Sequence, residues 1–310
     1  MNFYRVGKSW SISEIVHGCG ALGLFDFGKN SITDLRNSIF ASLDNGVNAF
    51  DTADIYGLGK SEELLSKFLG SKIKKVFVST KGGINWKVDS GKRASTFVDC
   101  TAKYLQKAID NSLLRLKLDS IPLYFVHWPD YKVPLYEILS LLKKNKDKGK
   151  IQYIGLSNFS LSQIEEANSI VKIDFIQNKY SLICREVEQD ILPFCKKENI
   201  NFWGYAPLAQ GLLTGKYKKY TKFDNDDHRS KLPHFLGKDA DINFKIIKFL
   251  SKIANDKKNH SSQIAIKWAL KNLYVNSVVV GSKNVNQSIL NAKSTDICID
   301  DEYHLLNKIS

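Results

Sequence analysis

Short runs of β-branched and aromatic residues alternate with longer segments of helical periodicity along almost the whole chain. Eight runs read as strands: Glu14–Gly18, Val47–Asp51, Lys75–Thr80, Ile121–His127, Ile151–Leu156, Phe175–Gln177, Asn201–Tyr205 and Ser277–Gly281. Helical patterns separate them, at Thr33–Asn45, Ser61–Leu69, Thr96–Lys117, Leu135–Lys148, Ser160–Ile170, Val187–Glu198 and Ser261–Asn272. Thr33 and Ser61 are the expected N-caps of the first two, and Gly46 and Gly70 their stops. Strict βα alternation predicts a parallel sheet, because parallel neighbours need a crossover between them. Eight such units in 310 residues fit a closed (β/α)8 barrel. No linker divides the chain, so residues 1–310 are expected to form one domain, with a lid or cofactor loop at 208–243.

Composition narrows the function classes. Apolar residues make up 43% and charged residues 25%, an ordinary globular balance. No apolar run approaches the roughly 20 residues of a membrane span. The start, "MNFYRVGKSW", lacks the apolar core of a signal peptide. Five cysteines are scattered without a C-x-x-C pair, which argues for reduced thiols in the cytoplasm and against a zinc site or any other metal site. The net charge of +13 reads as a solvated lysine-rich surface, with no nucleic-acid partner expected. The cluster "LKKNKDKGK" (Leu142–Lys150) ends a helical pattern, where cations also suit the helix dipole.

Two motifs invite a dinucleotide-fold reading and fail on local grounds. "GCGALG" (Gly18–Gly23) matches G-x-G-x-x-G after a strand. That fingerprint needs a helix to open at its third glycine, and here "LFDFGKN" follows. Tyr56 and Lys60 have Y-x-x-x-K spacing, which works only on one face of a helix. Gly57 and Gly59 between them make a helix improbable.

In a barrel the chemistry stands at the C-terminal ends of the strands. The second strand ends in Asp51, and Tyr56 follows in a glycine-rich turn; the third, "VFVSTKGG", closes on Lys81; the fourth, "LYFVHWPD", closes on His127. Singly, such a lysine or histidine is an ordinary polar residue. Together the four make a chemical set. A phenol is a poor acid at neutral pH, and an adjacent ammonium is expected to lower its pKa. Asp51 would orient that ammonium, and His127 would hydrogen-bond a carbonyl oxygen. Such a site protonates an oxygen as negative charge develops on it.

"NAFDTADIYG", "VFVSTKGG", "LYFVHWPD", "GKIQYIGLSNF", "IQNKYS" and "GYAPLAQGLLTGKY" resemble, in order, the signature blocks of the aldo-keto reductase superfamily. With "SEELL" after the tyrosine, the likeness is closest to the bacterial and potassium-channel-β-subunit-like branch. The resemblance implies a (β/α)8 barrel that uses NADPH, with NADH as the lesser alternative. It implies a catalytic tetrad of Asp51, Tyr56, Lys81 and His127, with Tyr56 the proton donor in aldehyde or ketone reduction. A regulatory subunit that holds NADPH with little turnover is the alternative.

The same resemblance gives the cofactor groups. Ser157, Asn158 and Gln177 would bind the nicotinamide carboxamide, since side-chain amides both donate and accept. Tyr205 would stack on the ring. Pro207, Leu208, Gln210, Gly211 and Lys216 would wrap the diphosphate. Gly281, Ser282 and Lys283 would meet the adenosine 2′-phosphate, with Gln287 and Asn291 near the adenine. Gln287 stands where arginine is frequent, which lowers the expected NADPH preference, and Leu290 where glutamate is frequent, which removes a usual adenine contact. Phe25, Trp86, Trp128 and Phe235 are expected to line an apolar substrate pocket. Lys87, Lys92, Arg93 and Arg229 would favour a phosphorylated or acidic carbonyl substrate, including a nucleotide-linked sugar.

Overall fold

The computed structural model describes residues 1–24, 30–87, 95–217, 221–223 and 228–309. Phe25, Lys92 and Arg93 lie outside them. The chain opens with an antiparallel hairpin, β1 (Phe3–Val6) and β2 (Trp10–Ser13). Three barrel strands follow: β3 (Ile15–Gly18), β4 (Ala49–Asp51) and β5 (Phe77–Gly82). A second hairpin, β6 (Ile84–Lys87) with β7 (Ser95–Val98), interrupts the series. The barrel resumes with β8 (Ile121–Val126), β9 (Ile151–Ser157), β10 (Phe175–Lys179), β11 (Asn201–Tyr205) and β12 (Ser277–Gly281). All eight barrel strands pair in parallel, and β12 closes on β3. Every strand expected from the sequence is present.

Helices α1 (Ile32–Asp44), α2 (Lys60–Leu69), α3 (Ala102–Leu116), α4 (Leu135–Asp147), α5 (Leu161–Ile170) and α6 (Ile191–Lys197) make the first crossovers. Then come α7 (Gly237–Asp256), α8 (Ser261–Lys271), α9 (Val285–Lys293) and α10 (Asp300–Ile309). Several ends differ from expectation. Ser31, not Thr33, caps α1 by accepting from Asp34 N. Gly59 precedes α2, and the Ser61 hydroxyl turns inward to Cys19 O at 2.8 Å. Thr101 caps α3, so Ser95–Val98 is strand where helix was expected. The span 187–198 is a short 3-10 turn, Glu186–Glu188, followed by α6. Helix α7 already occupies the end of the 208–243 stretch expected to be a lid or cofactor loop.

Two apolar cores result. Between barrel and helices pack residues such as Leu35, Leu65, Ile109, Leu139, Ile164 and Trp268. Inside the barrel lie Val16, Phe77, Leu123, Phe125, Phe175 and Trp203. The first hairpin plugs the N-terminal end: Trp10 meets Phe77 edge-on at 5.2 Å, and Trp203 Nε1 donates to Tyr4 Oη at 2.6 Å. Phe125 fills the interior because its neighbour is glycine; a Cβ on Gly155 would lie 2.3 Å from its ring. With the bottom closed, the C-terminal rim is left for chemistry.

Candidate active site

Strand ends bring the four expected groups together. Asp51 ends β4, Lys81 lies near the end of β5, and His127 follows β8. Lys81 Nζ donates to Asp51 Oδ2 at 2.5 Å and to Thr52 O at 2.9 Å. This ion pair is sealed, with Lys81 1% and Asp51 3% exposed. Asp51 Oδ1 accepts from Ser79 Oγ at 2.7 Å and from Gln177 Nε2 at 3.0 Å. The ammonium lies 5.5 Å from the centroid of the Tyr56 ring, and the His127 ring meets that ring edge-on at 6.0 Å.

The turn carrying Tyr56 is glycine-dependent. Gly57 adopts φ +62°, and a Cβ there would fall 2.3 Å from Gly23 O. This close approach is the structural use of "GCGALG". Residues Gly20–Gly23 form a 3-10 turn against the turn of Tyr56, and α1 begins only at Ile32. Residues 54–59 are turn, so Tyr56 and Lys60 share no helix face.

Burial governs the electrostatics. It pushes the Tyr56 phenol above its ordinary range, and Asp51, Cys19 and Asp54 push the same way. The expectation that Lys81 would lower this pKa is therefore corrected: the ammonium is committed to Asp51, and desolvation dominates. Burial, then Lys81, holds His127 well below the usual imidazole range, so the ring is neutral. Its Nδ1 is buried without a hydrogen bond among the described residues.

The cofactor candidates gather on the adjoining arc, and several are occupied by one another. Asn158 adopts φ +66°. Its Nδ2 donates to His127 O at 2.9 Å and Ser157 Oγ at 3.1 Å, and its Oδ1 accepts from Tyr205 Oη at 2.7 Å. Gln177 donates to Asp51. Of the groups expected to face a carboxamide, Asn158 thus also braces His127 and Gln177 braces Asp51, while Ser157 holds Asn158. Gln287 Oε1 accepts from Lys283 N at 2.8 Å, and Asn291 Nδ2 donates to Ser282 Oγ at 3.0 Å. Both were expected near the adenine; here they hold the backbone and hydroxyl of the 281–283 turn before α9.

After β11, Pro207 is buried, and Leu208 leads into a 3-10 segment, Ala209–Thr214, with left-handed Ala206, Ala209, Gln210, Gly211 and Gly215. The turns close on themselves, Ala209 N donating to Ala206 O and Gly211 N to Leu208 O, both at 2.9 Å. Gln210 Oε1 is buried there without a partner among the described residues. Lys216 is exposed beside the Tyr217 ring.

Of the expected pocket residues, Trp86 sits half-buried on β6, and Trp128 is 45% exposed just past His127. Lys87 is exposed. Arg229 and Phe235 sit in an aromatic cluster. The Arg229 guanidinium bonds Tyr217 Oη and lies 4.8 Å from the Phe223 ring centroid, and Phe235 packs on Phe223 at 4.8 Å. These contacts bind both into the aromatic cluster of the 217–235 loop. Sequence reading also missed Ser79 and Asp54. Ser79 stands two residues before Lys81, on the same face of β5 by strand alternation, and that spacing was the available signal.

Residues 14–306 match the Aldo/keto reductase family. The chain belongs to that family. It is 34% identical over 261 residues to the aldo-keto reductase YhdN of Bacillus subtilis (strain 168), covering 83% of this chain and 77% of that one. It is 31% identical over 259 residues to the aldo-keto reductase yakc [NADP(+)] of Schizosaccharomyces pombe, covering 82% and 75%. Among solved structures, the glycerol dehydrogenase AKR11B4 from Gluconobacter oxydans superposes with a TM-score of 0.90 at 30% identity, covering 99% of this chain and 94% of that one. The protein is therefore an oxidoreductase of carbonyl and alcohol groups. Members of the family use nicotinamide cofactors. The polar arc from Ser157 to Tyr205 fits the carboxamide of such a group, and the orphaned Gln210 oxygen, an acceptor, fits one of its hydroxyls. No helix among the described residues is long and apolar enough to cross a membrane.

Proposed function

We propose that this aldo/keto reductase reduces an aldehyde or ketone to an alcohol with NADPH, with Tyr56 as proton donor. The observation that carries the reading is the sealed Lys81–Asp51 pair beside the Tyr56 ring. The bound nicotinamide supplies the hydride. Tyr56 gives its proton to the carbonyl oxygen as negative charge grows there. The Lys81 charge then faces the phenolate that remains, and Asp51 keeps the ammonium in place with help from Ser79 and Gln177. His127, neutral, presents a nitrogen that positions the carbonyl oxygen. Alcohol oxidation runs the same steps backwards, with the phenolate as base.

Several features support the cofactor and substrate. Ser157, Asn158, Gln177 and Tyr205 offer donors, acceptors and a ring for the nicotinamide end. Pro207, Leu208, Gln210, Gly211 and Lys216 would enclose the diphosphate. Gly281, Ser282 and Lys283 would meet the 2′-phosphate, and the S. pombe relative is named for NADP(+). The solved relative is a glycerol dehydrogenase, so small hydroxylated carbonyls lead the substrate class, with Trp86 and Trp128 at the rim and Lys87 nearby for an acidic substituent. Five free cysteines accord with a cytoplasmic setting.

The test is steady-state oxidation of NADPH and NADH over a panel of neutral, acidic and phosphorylated aldehydes and ketones. Sustained turnover with a small hydroxyaldehyde supports the reading. Tight NADPH binding without turnover on any carbonyl would make the chain a cofactor-holding regulatory subunit instead.

A further inference from the structure

Behind the tetrad lies a second buried acid that the reduction does not use. Asp54 stands between Asp51 and Tyr56 and is 1% exposed. The Ile55 backbone N–H and the Tyr104 hydroxyl lie near enough to act on it, yet neither carboxyl oxygen has a hydrogen bond of ordinary geometry among the described residues. An ionised carboxylate buried without a partner is among the costliest arrangements in a protein, whereas a neutral carboxylic acid carries its own donor.

The surroundings match the neutral form. The nearest acid, Glu62, is fully buried and takes the available cation. It accepts from Arg115 Nε at 2.5 Å and from Thr80 Oγ1 at 2.6 Å. Tyr104, on α3, donates its hydroxyl hydrogen to Ile84 O at 2.6 Å, which leaves its oxygen to accept. Tyr124, on β8, carries a buried hydroxyl with no partner among the described residues. The Cys100 thiol completes the titratable groups around Asp54, together with Tyr56 itself. Burial, then the Glu62 charge, pushes the Asp54 acid well above its ordinary value.

The backbone gives this residue a task. Asp54 N donates to Lys81 O at 3.1 Å, and Thr52 N donates to Ser79 O at 2.9 Å. These bonds tie the Asp51–Tyr56 segment to the strand that carries Lys81. We propose that Asp54 is a positioning residue of the reduction site that works as a neutral carboxylic acid, its hydrogen held in the pocket shared with Tyr104 and Tyr124, fixing the turn of Tyr56 against the strand of Lys81. The proposal rests on the assignment of Tyr56 and Lys81 as proton donor and charge partner. The hairpin bearing Trp86 is tied in through Tyr104 and Ile84.

The test compares full-length wild type with Asp54→Asn and Asp54→Ala. Unfolded Asp54 releases its proton near the ordinary 3.8, while the folded acid keeps it. Wild-type stability therefore falls as pH rises above that value, and asparagine, which has no such proton, escapes the fall. The melting temperature of Asp54→Asn should rise relative to wild type from about pH 5 to about pH 8. At neutral pH its kcat should stay within about threefold of wild type, and Asp54→Ala should lose about tenfold or more in kcat with cofactor binding unchanged. A melting-temperature difference that moves against asparagine with rising pH overturns the neutral acid. Equal kcat losses in Asn and Ala, or no loss in either, overturn the positioning role. The melting arm does not depend on catalysis, so it separates this proposal from a failure of the tetrad assignment.

Discussion

Replacing Lys81 by methionine removes one member of a fully buried ion pair and leaves the other behind. At an effective dielectric of about 20, unit charges 2.5 Å apart attract by roughly 6–7 kcal/mol, and desolvation offsets part of that. Breaking buried pairs costs about 3–5 kcal/mol, mostly because a charge is stranded. Asp51 would retain the hydrogen bonds from Ser79 and Gln177, which places Lys81→Met near about 3 kcal/mol, the lower end. Adding Asp51→Asn removes the stranded charge while its amide oxygen still accepts from Ser79 and Gln177. The double variant should recover at least about half of the loss, a coupling of about 1.5 kcal/mol or more. Urea unfolding of wild type, both single variants and the double completes the cycle. A loss below about 1 kcal/mol in Lys81→Met, or strict additivity, would show that solvent reaches the pair and that the site is not sealed.

Three further outcomes follow from the same geometry. Gly57→Ala places a Cβ 2.3 Å from Gly23 O at φ +62°, so it should lose roughly 2–4 kcal/mol in urea unfolding and lower kcat by displacing Tyr56. Burial lowers His17 from 6.5 to about 4, so the unfolded chain binds the extra proton between those values and stability falls on acidification. Wild type should lose about 1.5 kcal/mol from this group between pH 6.5 and about pH 5, and His17→Gln should escape that loss when the two are unfolded at both pH values. Lys283→Ala should erase most of an NADPH-over-NADH preference of about tenfold to a hundredfold, measured as dissociation constants by fluorescence quenching, and leave NADH binding nearly unchanged.

The barrel and the tetrad were legible because both are written locally. A strand that ends in an acid, a lysine or a histidine places that group on the rim whatever the rest of the chain does. The partnerships behind the rim are not local. Gln177 turns to Asp51, and Asn158 to Tyr205 and His127 O, only because closure of β3 on β12 brings these strand ends into one ring. The same holds for Gln287 and Asn291, whose amides are taken up by the turn before α9. The Ser95–Val98 strand was hidden for a different reason. It runs directly into a long helical pattern, and the true start is set by Thr101 accepting from Tyr104 N. Tyr56 does stand beside Lys81 and His127, but its electrostatics were not legible, since a one-dimensional pattern carries no measure of desolvation.

Proton donation by Tyr56 is the central step proposed for the reduction, and Tyr56→Phe is its direct measurement. The substitution removes one hydroxyl and keeps the ring that packs beside Lys81 and His127. Steady-state reduction of the best carbonyl found in the panel should fall by about 10²–10⁴-fold in kcat, the usual worth of a general acid, while the NADPH dissociation constant stays within about threefold. Turnover close to wild type in Tyr56→Phe, with the cofactor bound, would contradict the assignment.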